Sequence, residues 1–415
     1  MAVNVDVIKF IKSRFFLSLI ILLQVGTLLS TVDSLRNSGL LVDAGKNIFH
    51  GRSPYTIPNP YGTWPGILFA FVDYLSFSTI TLYAIIILNL CGFALLAKFL
   101  LPVSDVRVVL ILALLTSPIR ALVSNVQNTG IILGSLIIAL FMLNKFELNG
   151  KQIHLHASAF FFLFAFELKP QLTLPIIILV LVQRRMPSLL ASFLLQFFLI
   201  RALLDVWVGE ILELEQIKIW KLMRTDPLAM KEQISPWKVM GYFFPNAVDW
   251  FALSFVFTII LILMLAYFGI RNKLKNLEVL AVVIPLASGY LHYYDLLVLL
   301  IFVISANLHR VDLSYSGATF SLTFLALPTH VGSHFIPSEI VLILIINAFL
   351  FVYVSRDFKS VATRLLESGI ALWMTSLLSS AFDSLELALS CMLTVVFLLQ
   401  LKPIVNFLRR TFSIL

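Results

Sequence analysis

Long runs of Leu, Ile, Phe, Val and Ala fill this chain, and short polar or basic clusters punctuate them. Several runs reach the length of about 20 residues that a helix needs to cross a hydrocarbon core. None alternates with the period of two expected of a barrel strand. Only a helix satisfies its own backbone in lipid. The pattern predicts an all-α polytopic membrane protein with about 12–14 transmembrane segments. The first run, residues 15–31, follows Lys9, Lys12 and Arg14 and lacks a small-x-small cleavage site. It reads as a retained span rather than a signal peptide.

Further spans are expected over residues 78–100, 108–123, 130–143, 188–204 and 251–270, with four more toward the C-terminus. Two pairs of runs are short: 157–168 with 171–182, joined by Lys169-Pro170, and 280–291 with 296–307, joined by His292 to Asp295. Each half falls well below spanning length. Either the halves are steep half-helices beside a cavity, or Lys169 sits deeper than a surface loop.

The polar interruptions are as informative as the runs. Residues 40–64 carry Asp43, Lys46 and Asn47 on a short amphipathic stretch, then Gly51 and a Pro/Tyr-rich loop. Leu40, Leu41, Ala44, Ile48 and Phe49 share one helical face, which is expected to lie on the bilayer. Gly51 is placed to end this helix as its C′ residue, and Pro54 stops it resuming. A second long polar stretch covers residues 205–249 and includes Trp207, Trp220 and Trp237.

Composition agrees with this picture: 60% of residues are hydrophobic, and the mean hydropathy is +0.98. The net charge of +8 does not signal nucleic acid, because Lys98, Lys145, Lys151, Arg184-Arg185, Arg271 and Arg409-Arg410 mark alternate ends of the apolar runs. That is a positive-inside distribution. It predicts cytoplasmic termini, a first extracytoplasmic loop over 33–65, a long extracytoplasmic loop over 205–249, and one membrane domain spanning 1–415. Asp33, Asp43, His50, Arg52, Arg120, Gln127, Glu167, Lys169, His292 and Asp295 then gather at the outer face. Cys91 and Cys391 both lie in apolar runs, so no disulfide framework is implied.

Four groups of residues carry candidate chemistry. Asp33, at the outer end of the first span, has the position of a general base, though Arg36 three residues on can equally satisfy it. Asp43 is either a site residue or part of a solvated helix face. A lysine in mid-membrane costs about 2.5–3.5 kcal/mol, so Lys169 demands a partner. Glu167 is near in sequence but does not face it on a helix; an anionic ligand such as a phosphate is the other choice. His292, Tyr293, Tyr294 and Asp295 suit sugar or phosphate binding, or an aromatic belt. His330 and His334 are spaced like metal ligands, yet no nearby acid completes a site, and no cofactor is indicated.

Taken in order, these motifs resemble the C-type glycosyltransferases that use polyprenyl-phosphate sugars, and most nearly glycosyltransferase family 87. That family contains actinobacterial mannosyltransferases and arabinofuranosyltransferases of cell-envelope lipids and polysaccharides. Asp43-Ala44-Gly45 through Gly51-Arg52-Ser53-Pro54-Tyr55 is similar to its loop of small residues followed by G-x-x-P-Y, and to the loop of GPI mannosyltransferase I. Gln127-Asn128 ahead of an apolar run resembles its GQ-x-N span, with Val126 in place of the glycine. The 161–168 run with Lys169-Pro170 and Arg184-Arg185 resembles its L-K-P…R-R hairpin. Residues 288–295 stand where the family has an S-P…W-x-H-H turn. The resemblance covers the first three quarters of the chain. The register of the family's first-loop acid falls on Asn37, which cannot act as a base; Asp33 and Asp43 flank it.

The resemblance implies a GT-C-like helical membrane domain that transfers a single sugar, mannose or arabinofuranose, with inversion. The donor would be a polyprenyl-phosphate-linked sugar and the acceptor a lipid or glycan of the cell envelope. The reaction would take place at the extracytoplasmic face of the plasma (inner) membrane. It assigns Asp33 or Asp43 as base and Lys169, Arg120 and His292 to the donor phosphate. Asn37, Tyr55, Gln127, Asn128, Tyr294 and Asp295 would bind substrate. Two other classes share some of these features. A transporter or flippase of lipid-linked sugars would show an internal repeat and midplane polar residues, and an O-antigen polymerase or ligase gives less reason for a Pro/Tyr-rich first loop.

Overall fold

The computed structural model describes residues 36–56, 64–74, 78–100, 128–184, 186–212, 214–218, 234–244, 361–384 and 386–395, with isolated positions between 253 and 263. These residues are helical, with no strand among them. Contacts group the chain into two compact units. One comprises residues 31–99 and 122–231, the other 1–30, 100–121 and 232–415.

The first of these units holds α1 (Arg36–Phe49), a 3₁₀ turn (Pro54–Thr56), α2 (Trp64–Tyr74), α3 (Ser78–Leu100), α4 (Thr129–Asn149), α5 (Gln152–Leu168), α6 (Pro170–Arg184) and α7 (Pro187–Val208). α4 and α7 are long and apolar enough to cross a membrane. Half of α4's most apolar window is buried but only 17% of α7's, so α4 runs through the centre and α7 along the edge. The expected span at 78–100 coincides with α3.

α1 ends as its sequence requires. Gly51 adopts φ +67°, its N–H donates to the Ile48 carbonyl at 2.9 Å, and the Arg52 N–H donates to the Asn47 carbonyl at 2.8 Å. This is the paired-bond C-cap that a left-handed glycine makes possible. Part of the apolar side of α1 faces protein instead of outward, although Phe49 remains 41% exposed. Ala44 and Ile48 are almost completely buried, because α2 supplies a protein surface for that side. Residues 64–74 are apolar but too short to span, and they form this packing partner.

α3 and α4 meet through a polar contact between apolar helices. Asn89, 1% exposed, donates through Nδ2 to its own Ile85 carbonyl at 2.8 Å. Its Oδ1 accepts from the N–H groups of Gly130 at 2.8 Å and Ile131 at 3.2 Å. Asn128, in the N-cap position of α4, makes no side-chain cap bond. Asn89 therefore satisfies, from a neighbouring helix, donors that a helix start leaves open. The backbones touch here: a Cβ on Gly92 would stand 1.7 Å from the Gly130 carbonyl oxygen. Small residues allow such approach between apolar helices.

The short pair 157–168 and 171–182 is longer than its apolar core. α5 starts at Gln152 and takes in His154 and His156. His156 Nδ1 lies 2.8 Å from Ser192 Oγ on α7, and Gln196 Nε2 donates to the His156 carbonyl at 3.0 Å. On α5's other side, Ser158 Oγ donates to the Ala139 carbonyl of α4 at 2.8 Å. Arg184 at the end of α6 is ion-paired with Glu147 and donates to Asn144 Oδ1 at 2.9 Å.

The second unit contains α8 (Pro236–Phe243) and α9 (Val361–Phe382). Ser235 caps α8 by accepting from the Lys238 N–H at 3.2 Å, and Pro236 occupies the first turn. The Ser235 N–H donates to Ser390 Oγ at 3.2 Å, and Tyr242 and Phe243 meet Phe382 edge to face.

Replacing Asn89 by Ala is expected to cost about 1 kcal/mol, the usual worth of a cap. Gly92→Leu should cost more, because the α3 and α4 backbones must separate. Thermal unfolding in detergent micelles reads both, and unchanged stability in both variants would contradict the α3–α4 contact.

Candidate functional site

The break between α5 and α6 is fixed by backbone chemistry. Pro170 has no N–H to continue α5 and disfavours helical geometry in the residue before it, so the chain restarts with proline in the first position of α6. Lys169 serves both helices. Its N–H donates to the Ala165 carbonyl at 3.1 Å, and its carbonyl accepts from the N–H groups of Leu172 and Thr173, both at 3.2 Å. Thr173 Oγ1 adds a third donor at 3.0 Å. Lys169 is 3% exposed, so it is covered by protein rather than lying in a surface turn.

Two residues before Lys169, Glu167 is 2% exposed and forms an ion pair with Arg201 of α7, itself 5% exposed. Arg201 Nη2 donates to Glu167 Oε2 at 2.7 Å and Nε donates to Oε1 at 3.2 Å, a two-pronged geometry. Nη2 also reaches Gln216 Oε1 at 3.4 Å, and the guanidinium lies 5.6 Å from the centre of the Phe197 ring. The Tyr55 hydroxyl neighbours the same guanidinium. Four separate stretches of chain thus converge on one buried charge: the 3₁₀ turn, the end of α5, the C-terminal half of α7, and residues 214–218.

The first loop is tied to this cluster at two further points. Trp207 Nε1 donates to the Ile48 carbonyl at 2.7 Å, and Ile48, Tyr55, Leu204 and Leu212 form one buried apolar group. Trp207 therefore belongs to α7 rather than to a polar loop. α7 runs to Val208, past the expected end at residue 204, because Asp205 finds a use inside the fold: its Oδ1 accepts from the Leu212 N–H at 2.9 Å.

The sequence-predicted site residues distribute unevenly. Tyr55 and Lys169 are buried in or beside the cluster. Asn37 lies in the first turn of α1. Asn128 sits at the start of α4, half-buried. Asp43 is exposed on α1 and lies 3.8 Å from Lys46, a surface pair of the kind that contributes little. Asp33, Arg120, Gln127, His292, Tyr294 and Asp295 lie outside the described residues.

Sequence reasoning offered Glu167 to Lys169 and passed over Arg201 and Gln216. The signal was present. An Arg in the middle of an apolar run needs an internal acid for the same reason that Lys169 needs a partner. Both oxygens of Glu167 accept from the guanidinium. The chemistry of Glu167 is to hold Arg201 and, through it, the loop. No protein-family model matches this chain, and neither curated proteins nor solved structures yield a match.

Removing one member of the pair should be far worse than removing both. Arg201→Met or Glu167→Leu alone is expected to destabilise by about 3–5 kcal/mol, since each strands a buried charge. The double variant should recover much of that loss. A double-mutant cycle of unfolding free energies checks it, and additive losses would show that the two side chains do not interact.

Proposed function

We propose that this chain is an integral membrane glycosyltransferase of the GT-C type. It moves one sugar, mannose or arabinofuranose, from a polyprenyl-phosphate donor to a cell-envelope lipid or glycan on the extracytoplasmic side. The observation that carries this reading is the buried Lys169 at the α5–α6 break, on the same hairpin whose Glu167 is joined through Arg201 to Tyr55 of the first loop. Lys169 and Tyr55 belong to two of the motifs on which the family resemblance rests. Glu167, on the Lys169 hairpin, and Tyr55 both meet Arg201, which brings these two motifs together.

In this mechanism an acceptor hydroxyl attacks C1 of the donor sugar while the bond from C1 to the phosphate oxygen breaks. Asp33 or Asp43 takes the hydroxyl proton, and the lipid phosphate departs with its electron pair. Lys169, with Arg120 and His292, offsets the charge gathering on that phosphate. Asn37, Tyr55, Gln127, Asn128, Tyr294 and Asp295 hold the two substrates. The base contributes about 10²–10⁴-fold. The protein sits in the plasma membrane as a multi-pass domain of about 12–14 spans with both termini cytoplasmic.

Purified protein in lipid nanodiscs should transfer sugar from a polyprenyl monophosphate donor, detected as a radiolabelled product. Asp33→Asn combined with Asp43→Asn should lower turnover by about 10²–10⁴-fold. Full turnover in the double variant would remove the assigned base. Movement of the intact lipid-linked sugar across the bilayer without transfer would replace the reading with a flippase.

A further inference from the structure

The stretch after α7 has its polarity turned inside out. The chain reverses at Gly209, whose N–H donates to the Asp205 carbonyl at 2.8 Å, and Asp205 Oδ1 holds the Leu212 N–H. Residues 211–212 and 214–218 then fold back along α7. On their inner side, Leu212 is fully buried and Gln216, 9% exposed, reaches Arg201. On their outer side, Ile211, Leu214 and Ile217 are 58%, 54% and 46% exposed. Spacing of three places these residues on one side of a helical turn. A surface helix in water shows the reverse, apolar inward and polar outward.

The helix that this stretch folds against, α7, is itself apolar and exposed: Leu195, Leu199, Leu203 and Val206 are between 55% and 84% exposed. Trp207 sits at the junction with its ring exposed and its indole N–H held by the Ile48 carbonyl. An anchored indole of this kind is typical of the level where acyl chains meet headgroups. Glu215 and Lys218 flank the apolar residues and pair with each other at 2.6 Å, with Lys218 exposed. A lysine there can lay its stem on apolar surface and keep its ammonium among the headgroups.

We propose that residues 211–212 and 214–218 lie in the membrane–water interface at the end of α7, with phospholipid acyl chains against Ile211, Leu214 and Ile217. Gln216 joins this bilayer contact to the buried Glu167–Arg201 pair. The segment is the lipid-side wall of that cluster rather than the start of a solvated loop. This assignment rests on burial alone and stands whether or not the protein transfers sugars.

The test uses full-length protein in phosphatidylcholine bilayers, with Cys91 and Cys391 replaced by Ala. Single cysteines at Ile211, Leu214, Ile217 and Lys218 carry a nitroxide label. Spin relaxation by molecular oxygen, which concentrates in lipid, is compared with relaxation by a water-soluble nickel chelate. The oxygen-to-nickel ratio should be several-fold higher at 211, 214 and 217 than at 218. Equal ratios at all four positions would mean a solvated loop and overturn the proposal. Shielding of the first three positions from both reagents would mean that protein covers them, which overturns it equally.

Discussion

A guanidinium inside an apolar helix is the constraint around which the described part of this fold is arranged. Arg201 lies two turns from the C-terminal end of the apolar α7, buried, where an ionised group needs a paired and hydrogen-bonded partner. Glu167 answers the charge with two hydrogen bonds, and Gln216 and Tyr55 complete its surroundings. Such a pair adds little net stability compared with a well-packed apolar substitute. Its value is positional: it fixes the end of α5 against α7 and draws Gln216 and Tyr55 to the same charge.

The same cluster stands between a buried apolar interior and the face that α7 turns outward. Inward lie Leu163, Leu172, Ile48 and Leu212, all almost fully buried. Outward lie large apolar side chains of α7, with Ile211, Leu214 and Ile217. The hairpin of α5 and α6 stays close to α4 and α7 through pairwise polar contacts, Ser158 to Ala139 and His156 to Ser192. Contacts of this kind, with the close backbone approach at Gly92 and Gly130, join the apolar helices of this unit.

Local chemistry was legible in the sequence, and long-range pairing was not. Gly51 announced the end of α1 because only a left-handed residue closes that cap, and Pro170 announced the break at Lys169. The run at 78–100 was long and clean enough to give α3 its ends. The start of α5 was missed because His154 and His156 interrupt the apolar run without interrupting the helix. The end of α7 was missed because Asp205 looked like a polar boundary, whereas it bonds the chain that folds back on it. The lie of α1 was only partly legible because its partner, α2, is too short to count as a span. The Glu167–Arg201 pair joins residues 34 apart, and nothing local specifies which acid a buried Arg will find.

Docking of the first loop on α7 is the central claim, since it brings Tyr55 to the buried Glu167–Arg201 pair. A covalent test is available in the apolar group formed by Ile48, Tyr55, Leu204 and Leu212. Cysteines at Ile48 and Leu204, in protein lacking Cys91 and Cys391, should be joined by a short bis-methanethiosulfonate in native membranes. After cleavage at a protease site placed between them, the two fragments should migrate as one species on a denaturing gel. Fragments that separate despite complete modification of both thiols would contradict the account.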